Sequence, residues 1–320
     1  MIRAFPGGIC LDARKERVAG LAVVEIPPPP TVVIHLSQHV GQPARPVVGP
    51  GDRVETGTMI GEASGPVSAA VHSSVSGRVK SIGGFPHPSG ATSVAIEIEN
   101  DGRDQWVNLS GWRDLTGADP GIVRDAVRDA GIVGLGGAAF PTHLKLIPPA
   151  GGRVEVLVAN GAECEPYLAC DHRAILERAA DIVEGVRVMM RTVGAERGLV
   201  AVGWNKPDAA RSLRRALKGE SRIRVAEVET KYPQGAEKQL VKTLTGREVP
   251  RGGLPVEVGC LVHNVSTVLA VYECLKFGRP LVSRVITVAG SAAKSPGNFR
   301  VRIGTPVGHV IDRAGGAAED

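Results

Sequence analysis

Hydrophobic and polar positions change their rhythm twice along the chain. From Thr31 to about Asn100 short apolar runs partly alternate with polar residues, as in "TVVIHL", "SAAVHSSVSGRVKSI" and "TSVAIEIE". Period-two alternation predicts β-strands, and the glycines of "VGPGDRVETGTMIGEA" mark tight turns between them. The four prolines of "IPPPP" (26–30) end an N-terminal arm and form a stiff spacer. Residues 101–118 are polar and turn-rich and read as a connector, with Trp106 and Trp112 as anchors between domains.

From Asp119 onward helix and strand alternate. Asp119-Pro120 is an N-cap followed by proline at the first helical position, and Ile122, Val123, Ala126, Val127 and Ala130 fall at helical spacing before Gly131. Then come a strand at 154–160, a helix at 172–194, the strand "GLVAVGW", the helix "KPDAARSLRRALKG", the strand "RIRVAEVE" and helices at "GAEKQLVKTLTG" and 265–278. This βαβα order predicts a parallel sheet wrapped by helices. Residues 284–316 return to a β-rich pattern.

Bulk properties narrow the classes of function. The 320 residues allow two or three domains. A net charge of +5, with scattered basic residues, argues against nucleic acid binding; "RSLRRALK" reads as a solvated helix face. No stretch approaches the roughly 20 apolar residues of a membrane span, and the start lacks a signal-peptide core. That predicts a cytosolic chain, or one held at a membrane by partners. The five cysteines form no CxxC pair, so no zinc or iron–sulfur site of ordinary spacing is expected, and Cys164 and Cys170 read as unreactive thiols in a loop and a helix start.

Two loops carry candidate chemistry. In "GLGGAAFPTHLKL" (134–146) the first six residues satisfy G-x-G-x-x-[GA]. A dinucleotide fingerprint should follow a strand, however, and here a helix precedes; no G-K-[ST] is present for a phosphate loop. The physical property that remains is a bare main chain on which a flat ligand can lie. Pro141-Thr142 suits a short helix start, with Lys145 one turn in, an arrangement that favours anions. The second loop, "NGAECEPY" (160–167), follows the strand 154–160, where open α/β sheets bind ligands. It offers the carboxylates Glu163 and Glu165.

Residues 31–100 resemble the biotinyl/lipoyl-type barrel-sandwich fold, but the turn "ASGPVS" (63–68) has no lysine to carry a cofactor, which favours a structural or docking role. With "FPGGI", "VANGAECEPYLACDHR", "KYPQGAEKQLVKTLTGREVPRGGLPVEVG" and "VHNVST", the chain is similar over nearly its whole length to RnfC, the NADH-oxidising subunit of the Rnf electron-transport complex. It is more distantly similar to the flavin-bearing, NADH-binding subunit of respiratory complex I. The fold the resemblance implies is α/β. A Rossmann-like flavin domain (119–283) follows the arm (1–30), the barrel-sandwich hybrid (31–100) and the connector (101–118), and precedes the start of an SLBB-like β-grasp segment (284–320).

The implied cofactors are FMN, held without a covalent bond, and NADH, which gives hydride from C4 to flavin N5. No side chain is then a dedicated catalyst. By the motifs, Gly134, Gly136, Gly137, Phe140 and Thr142 would form the flavin loop, and Lys145 would lie near phosphates. Asn160 and Asn264 would bond the ribityl chain or phosphate. Glu163 and Glu165 would face the flavin and nicotinamide, and Tyr232, Gly235 and Glu237 would line the same cleft. The implied partners are NAD(H) and other subunits of a membrane complex, including an iron–sulfur partner, with the chain peripheral on the inner face of the cell membrane.

The sequence departs from the family in three places. Ala139 and Ala236 stand where glycines are usual, and the two CxxCxxCxxxCP runs that bind [4Fe-4S] clusters are absent from these 320 residues, which reads as a fragment or a shortened relative. The alternatives are a cobalamin reductase-like flavoprotein, or a docking subunit that has lost its flavin.

Overall fold

The computed structural model describes residues 4–148 and 152–318. Residues 1–3 of the expected arm and 319–320 of the expected C-terminal segment lie outside the described residues. The chain divides into two compact units whose segments interleave. One comprises Met1–Ala22, Thr116–Arg124 and Lys145–Tyr272; the other comprises Val23–Leu115, Asp125–Leu144 and Glu273–Asp320.

The second unit opens with strand β1 (Val23–Glu25) and continues with β2 (Thr31–His35), β3 (Arg45–Pro46), β4 (Arg53–Val54), β5 (Met59–Glu62), β6 (Val71–His72), β7 (Gly77–Pro86) and β8 (Thr92–Asn100). Strands β2, β8, β7 and β4 form one antiparallel sheet, and β3, β5 and β6 form another. Alternation along β2 places Val32 and Ile34 inside. They join Leu36, Val54, Ile60, Val79, Ile96 and Ile98 in a core between the sheets. Residues 63–68 are the bend between β5 and β6, held by the Ser64 amide on Ser68 Oγ (3.0 Å) and the Ser68 hydroxyl on the Gln42 carbonyl (2.9 Å).

Helix α1 (Pro120–Asp129) starts as its sequence requires: Asp119 Oδ1 accepts the amides of Gly121 (2.8 Å) and Ile122 (3.1 Å). Gly131 ends it at φ +65°, where a Cβ would stand 2.3 Å from the Ala70 carbonyl oxygen. Only glycine fits that conformation and that gap. Helix α2 (Thr142–Lys145) is a single turn.

The first unit is built on four strands: β9 (Val156–Gly161), β10 (Arg197–Gly203), β11 (Ile223–Val228) and β12 (Cys260–Asn264). All are parallel, in the order β11-β10-β9-β12, with Asn160 opposite both Ala201 and Asn264. Helices α3 (Cys170–Val193), α4 (Pro207–Ala216), α5 (Glu237–Thr245) and α6 (Val265–Phe277) follow the strands. Val156, Val158, Ala201, Val228, Leu240, Val241 and Val262 pack between the sheet and α5. Helix α3 buries Ile175, Ile182, Val183, Val186, Met189 and Met190, and Gly194 at φ +72° closes it.

Two features differ from the sequence reading. Strand β12 is an element the pattern did not mark. Its five residues are almost wholly buried and run straight into α6, so no turn residue separates them and no alternation reveals them. The C-terminal segment is β-rich as expected but carries one helix that the pattern did not mark. Strands β13 (Ser283–Val288) and β14 (Gly297–Arg302) are antiparallel, but helix α7 (Val307–Arg313) follows, and β1 joins the far edge of β14 in parallel. Phe299, Val301, Val310, Ala314 and Ile26 form that small core.

Candidate functional site

In the second unit the glycine loop is a closed hairpin of main chain. The Gly134 amide donates to the Phe140 carbonyl (2.9 Å), Val133 bridges Pro141, and the Thr142 amide donates to the Ile132 carbonyl (3.0 Å). Two neighbours brace it. The Val40 amide of the barrel donates to the Ala139 carbonyl (3.2 Å), and Arg284 of β13 donates to the Leu135 carbonyl. Gly136, Gly137 and Ala138 are exposed, and Phe140 is half-buried. No atom lies within 4 Å of where a Gly137 Cβ would project. A Cβ on Gly134 would meet nothing nearer than 3.5 Å, so the protein's own packing does not demand glycine there. A cleft of about 750 Å³ runs beside Ala138 and Ala139, bounded by His35, His39, Phe85 and Val307.

The two departures from the family pattern are not equivalent. Ala139 sits at φ +50°, in the left-handed region, whereas Ala236 sits at φ −63° and carries no backbone penalty. Ala139→Gly is expected to raise stability by about 0.5–1 kcal/mol, read as an upward shift in the thermal midpoint. No change in the midpoint would mean that the loop relaxes its conformation at no cost.

The first unit collects polar groups at the C-terminal ends of β9, β10 and β12. Asn160 is held at both ends of its amide: Nδ2 donates to the Gly235 carbonyl (2.8 Å), and Oδ1 accepts the Ala162 amide (3.1 Å). Asn264 is held in the same way, Nδ2 on Asp171 Oδ2 (2.6 Å) and Oδ1 under the Ser266 amide (2.8 Å). Lys145 donates to Glu237 Oε1 (2.7 Å) and the Val262 carbonyl (2.6 Å). The short helix expected after Pro141-Thr142 is α2, with Lys145 at its end, and the Lys145 ammonium pairs with Glu237. Gly235 lies against Cys164, whose Sγ accepts the Gly235 amide (3.4 Å), and a Cβ there would make only ordinary contacts. Burial pushes the Cys164 thiol above its ordinary range. Tyr232 is exposed, with its backbone paired to Ile9 (2.8 Å in both directions).

Glu163 and Glu165 have opposite environments. Glu165 is exposed. Glu163 is 7% exposed and sits at φ +45°, with Lys15 Nζ at 3.6 Å and Lys206 Nζ at 3.9 Å from its Oε2. Its Oε1 accepts the Asp171 amide (2.7 Å), while Oε2 has no hydrogen-bond donor. Burial and the neighbouring Asp171 push the carboxyl up to about 7, against the pull of the two lysines. Burial, then Lys15, lowers the Lys206 ammonium to about 8. His263, beside Asn264, is held neutral, its pKa pushed well below the usual range by burial. The sequence reading missed Lys15, Lys206, Asp171 and His263. Lys206 looks like an ordinary helix flank and Lys15 lies 148 residues from its partner, so no local signal marks them.

The residues present fit a flavin. The loop offers exposed, nearly side-chain-free main chain. The Thr142 hydroxyl at its end is 1% exposed and lacks a partner. Buried polar atoms left unpaired in a native fold call for a ligand or ordered water.

The comparisons agree with this class of protein. Residues 127–273 match the Nuo51 FMN-binding domain, 3–103 the RnfC barrel sandwich hybrid domain, and 285–320 the SLBB domain. The crystal structure of the NAD+-reducing [NiFe]-hydrogenase in its H2-reduced state is similar at a TM-score of 0.54 and 25% identity, over 61% of this chain and 39% of that one. The chain thus carries a flavin-binding domain of the kind found in oxidoreductase complexes. More narrowly, it belongs to the RnfC family. It is 43% identical to the C subunit of the proton-translocating ferredoxin:NAD(+) oxidoreductase complex of Clostridium ljungdahlii, over 100% of this chain and 70% of that protein. It is equally identical to the C subunit of the Na(+)-translocating complex of Acetobacterium woodii, over 99% and 72%. It is 42% identical to the C subunit of the ion-translocating oxidoreductase complex of Pseudomonas aeruginosa, over 98% of this chain and 41% of that protein.

Proposed function

We propose that the chain is the electron-input subunit of an Rnf-type complex: it binds FMN without a covalent bond and takes hydride from NADH. The observation that carries this reading is the braced hairpin Gly134–Phe140, exposed at Gly136, Gly137 and Ala138 and with open space where a Gly137 side chain would project. When bound, FMN supplies the chemistry, accepting hydride at N5 and releasing electrons singly.

The chain's own residues bind and orient. Gly134, Gly136, Gly137, Phe140 and Thr142 form the flavin loop. Asn160, Asn264, Tyr232, Gly235, Glu237 and Lys145 shape the rim of the α/β unit, and the buried Glu163 carboxyl, pushed up to about 7, can exchange a proton there near neutral pH. Glu165 faces solvent and serves nicotinamide. The domain division is proposed as 31–100, 119–283 and 284–320. Electrons pass to an iron–sulfur partner, and the other subunits of the complex hold the chain at the inner face of the membrane. Among the described residues no helix is long and apolar enough to cross it. The RnfC name of the 3–103 match favours this reading over a cobalamin reductase. The strained Ala139 favours one rival, a docking subunit without flavin.

The test is direct. The purified chain titrated with FMN is expected to shift the flavin absorbance bands, and NADH added anaerobically is expected to bleach them. Gly136→Leu puts a bulky side chain on an exposed position, so folding should persist. FMN affinity should drop more than about a hundredfold, roughly 2.7 kcal/mol. Absent FMN binding in the wild type would overturn the proposal in favour of the docking role.

A further inference from the structure

The arm of the first unit that precedes β1 is stitched to the rim of the α/β sheet. Ile9 pairs antiparallel with Tyr232, and the Tyr167 amide donates to the Ala13 carbonyl (2.9 Å). Arg14 Nη1 donates to the Tyr167 hydroxyl (3.0 Å), and Lys231 donates to the Phe5 carbonyl while lying over the Phe5 ring at 4.5 Å. All of the arm lies outside the FMN-binding domain match, which begins at residue 127.

The arm delivers one charged group into the interior. Lys15 is 7% exposed, and its ammonium donates to the Glu163 carbonyl (2.7 Å) beside the free carboxylate oxygen of the same residue. Lys206, 2% exposed, reaches the same carbonyl at 3.4 Å and the Ala162 carbonyl at 2.9 Å. Two buried ammonium groups therefore clamp one residue whose backbone is left-handed without being glycine. An apolar side chain would anchor an arm at less desolvation cost than a lysine. Lys15 is thus better explained by what it does to Glu163 than by adhesion.

We propose that Lys15 is a positioning residue: from the N-terminal arm it fixes the Glu163 backbone and, with Lys206, sets the orientation and charge of the carboxylate oxygen Oε2. Its importance for catalysis rests on the flavin reading above; its action on Glu163 does not. The titratable groups acting on Glu163 are Asp171, Lys15 and Lys206. Asp171 is held by Asn264 and by Ser266 Oγ (2.6 Å), and the His172–Asp208 pair and Asn205 border Lys206. Among these Lys15 and Lys206 are the cations nearest Oε2, so neutralising Lys15 should strengthen proton binding there.

The test reads the carboxyl itself. In the full chain with 13C-labelled glutamate side chains, the Glu163 carbon resonance is assigned by its loss in Glu163→Gln and titrated with pH, without flavin. Wild type is expected to titrate near 7. Lys15→Met should move the midpoint up by about one to three pH units, and Lys15→Arg should restore it. Lys15→Gln, which keeps a donor without the charge, should behave like Lys15→Met and guards against a misfolded methionine variant. An unchanged midpoint in both neutral variants, whether or not the melting temperature falls, would overturn the proposal and leave Lys15 as an anchor. FMN titration of the same samples separates the two readings: absent flavin binding with a shifted carboxyl sinks only the flavin assignment. If flavin binds, the pH profile of NADH bleaching should shift in the same direction as the resonance.

Discussion

Replacing Glu163 by alanine is expected to cost about 1–3 kcal/mol of folding stability, measured by urea denaturation near neutral pH. The change removes the carboxylate that lies between Lys15 and Lys206 and leaves two nearly buried ammonium groups without it. It also removes the acceptor of the Asp171 amide. Glu163→Gln should cost much less. It keeps an oxygen for that amide, and it mimics the protonated form that the wild type populates near pH 7. A second signature follows from the raised carboxyl. Between its ordinary value of 4.5 and about 7, the folded chain keeps a proton that the unfolded chain gives up. Stability from this group therefore declines as pH rises through that window, and the glutamine variant should lack the decline. A loss below about 1 kcal/mol in the alanine variant would mean that the lysines are neutral or solvated, and the clamp would not exist as described.

Acidification should destabilise the barrel unit through His72, by about 3 kcal/mol between pH 6.5 and pH 4. This imidazole is 7% exposed, and its Nδ1 has no hydrogen-bond partner. Burial lowers it from 6.5 to about 4, against a hydrogen bond to the Asp129 backbone that favours the proton. The unfolded chain therefore takes up a proton at higher pH than the folded chain. Stability from this group is complete above 6.5 and disappears as pH falls toward 4, at about 1.4 kcal/mol per pH unit. Thermal midpoints across that range should fall steeply in the wild type. His72→Gln should be less stable at neutral pH but flatter below it. Equal slopes in the two proteins would show that His72 charges inside the fold without penalty. His263 in the α/β unit should add a similar acid sensitivity, since it is buried with Nε2 unpartnered.

Much of the architecture was legible because it rests on local periodicity. The alternation Val32, Ile34, Leu36 marked a strand with one buried face, and all three are core residues. The Asp119-Pro120 start and the Gly131 and Gly194 stops were visible because caps are chemical requirements of helix ends. The family was legible from motifs in order, and the comparisons bear it out. Strand β12 escaped because five buried residues have no periodicity that separates a strand from a helix. Helix α7 escaped because a seven-residue helix is too short to impose its rhythm on a β-rich neighbourhood.

The candidate site divided along the same line. Sequence by itself determined the bare loop and the carboxylates after β9, because small residues and adjacent acids declare themselves by type, while the asparagines Asn160 and Asn264 came only with the family resemblance. Only the tertiary structure decided the state of each group. It buried Glu163 and exposed Glu165, two residues apart. It committed Lys145 to Glu237 and made Ala139 strained but Ala236 relaxed. It brought Lys15 to a carboxylate 148 residues away. The physical reason is that charge and backbone strain depend on the solvent and neighbours around an atom, and the folded chain sets both at distances no sequence window spans.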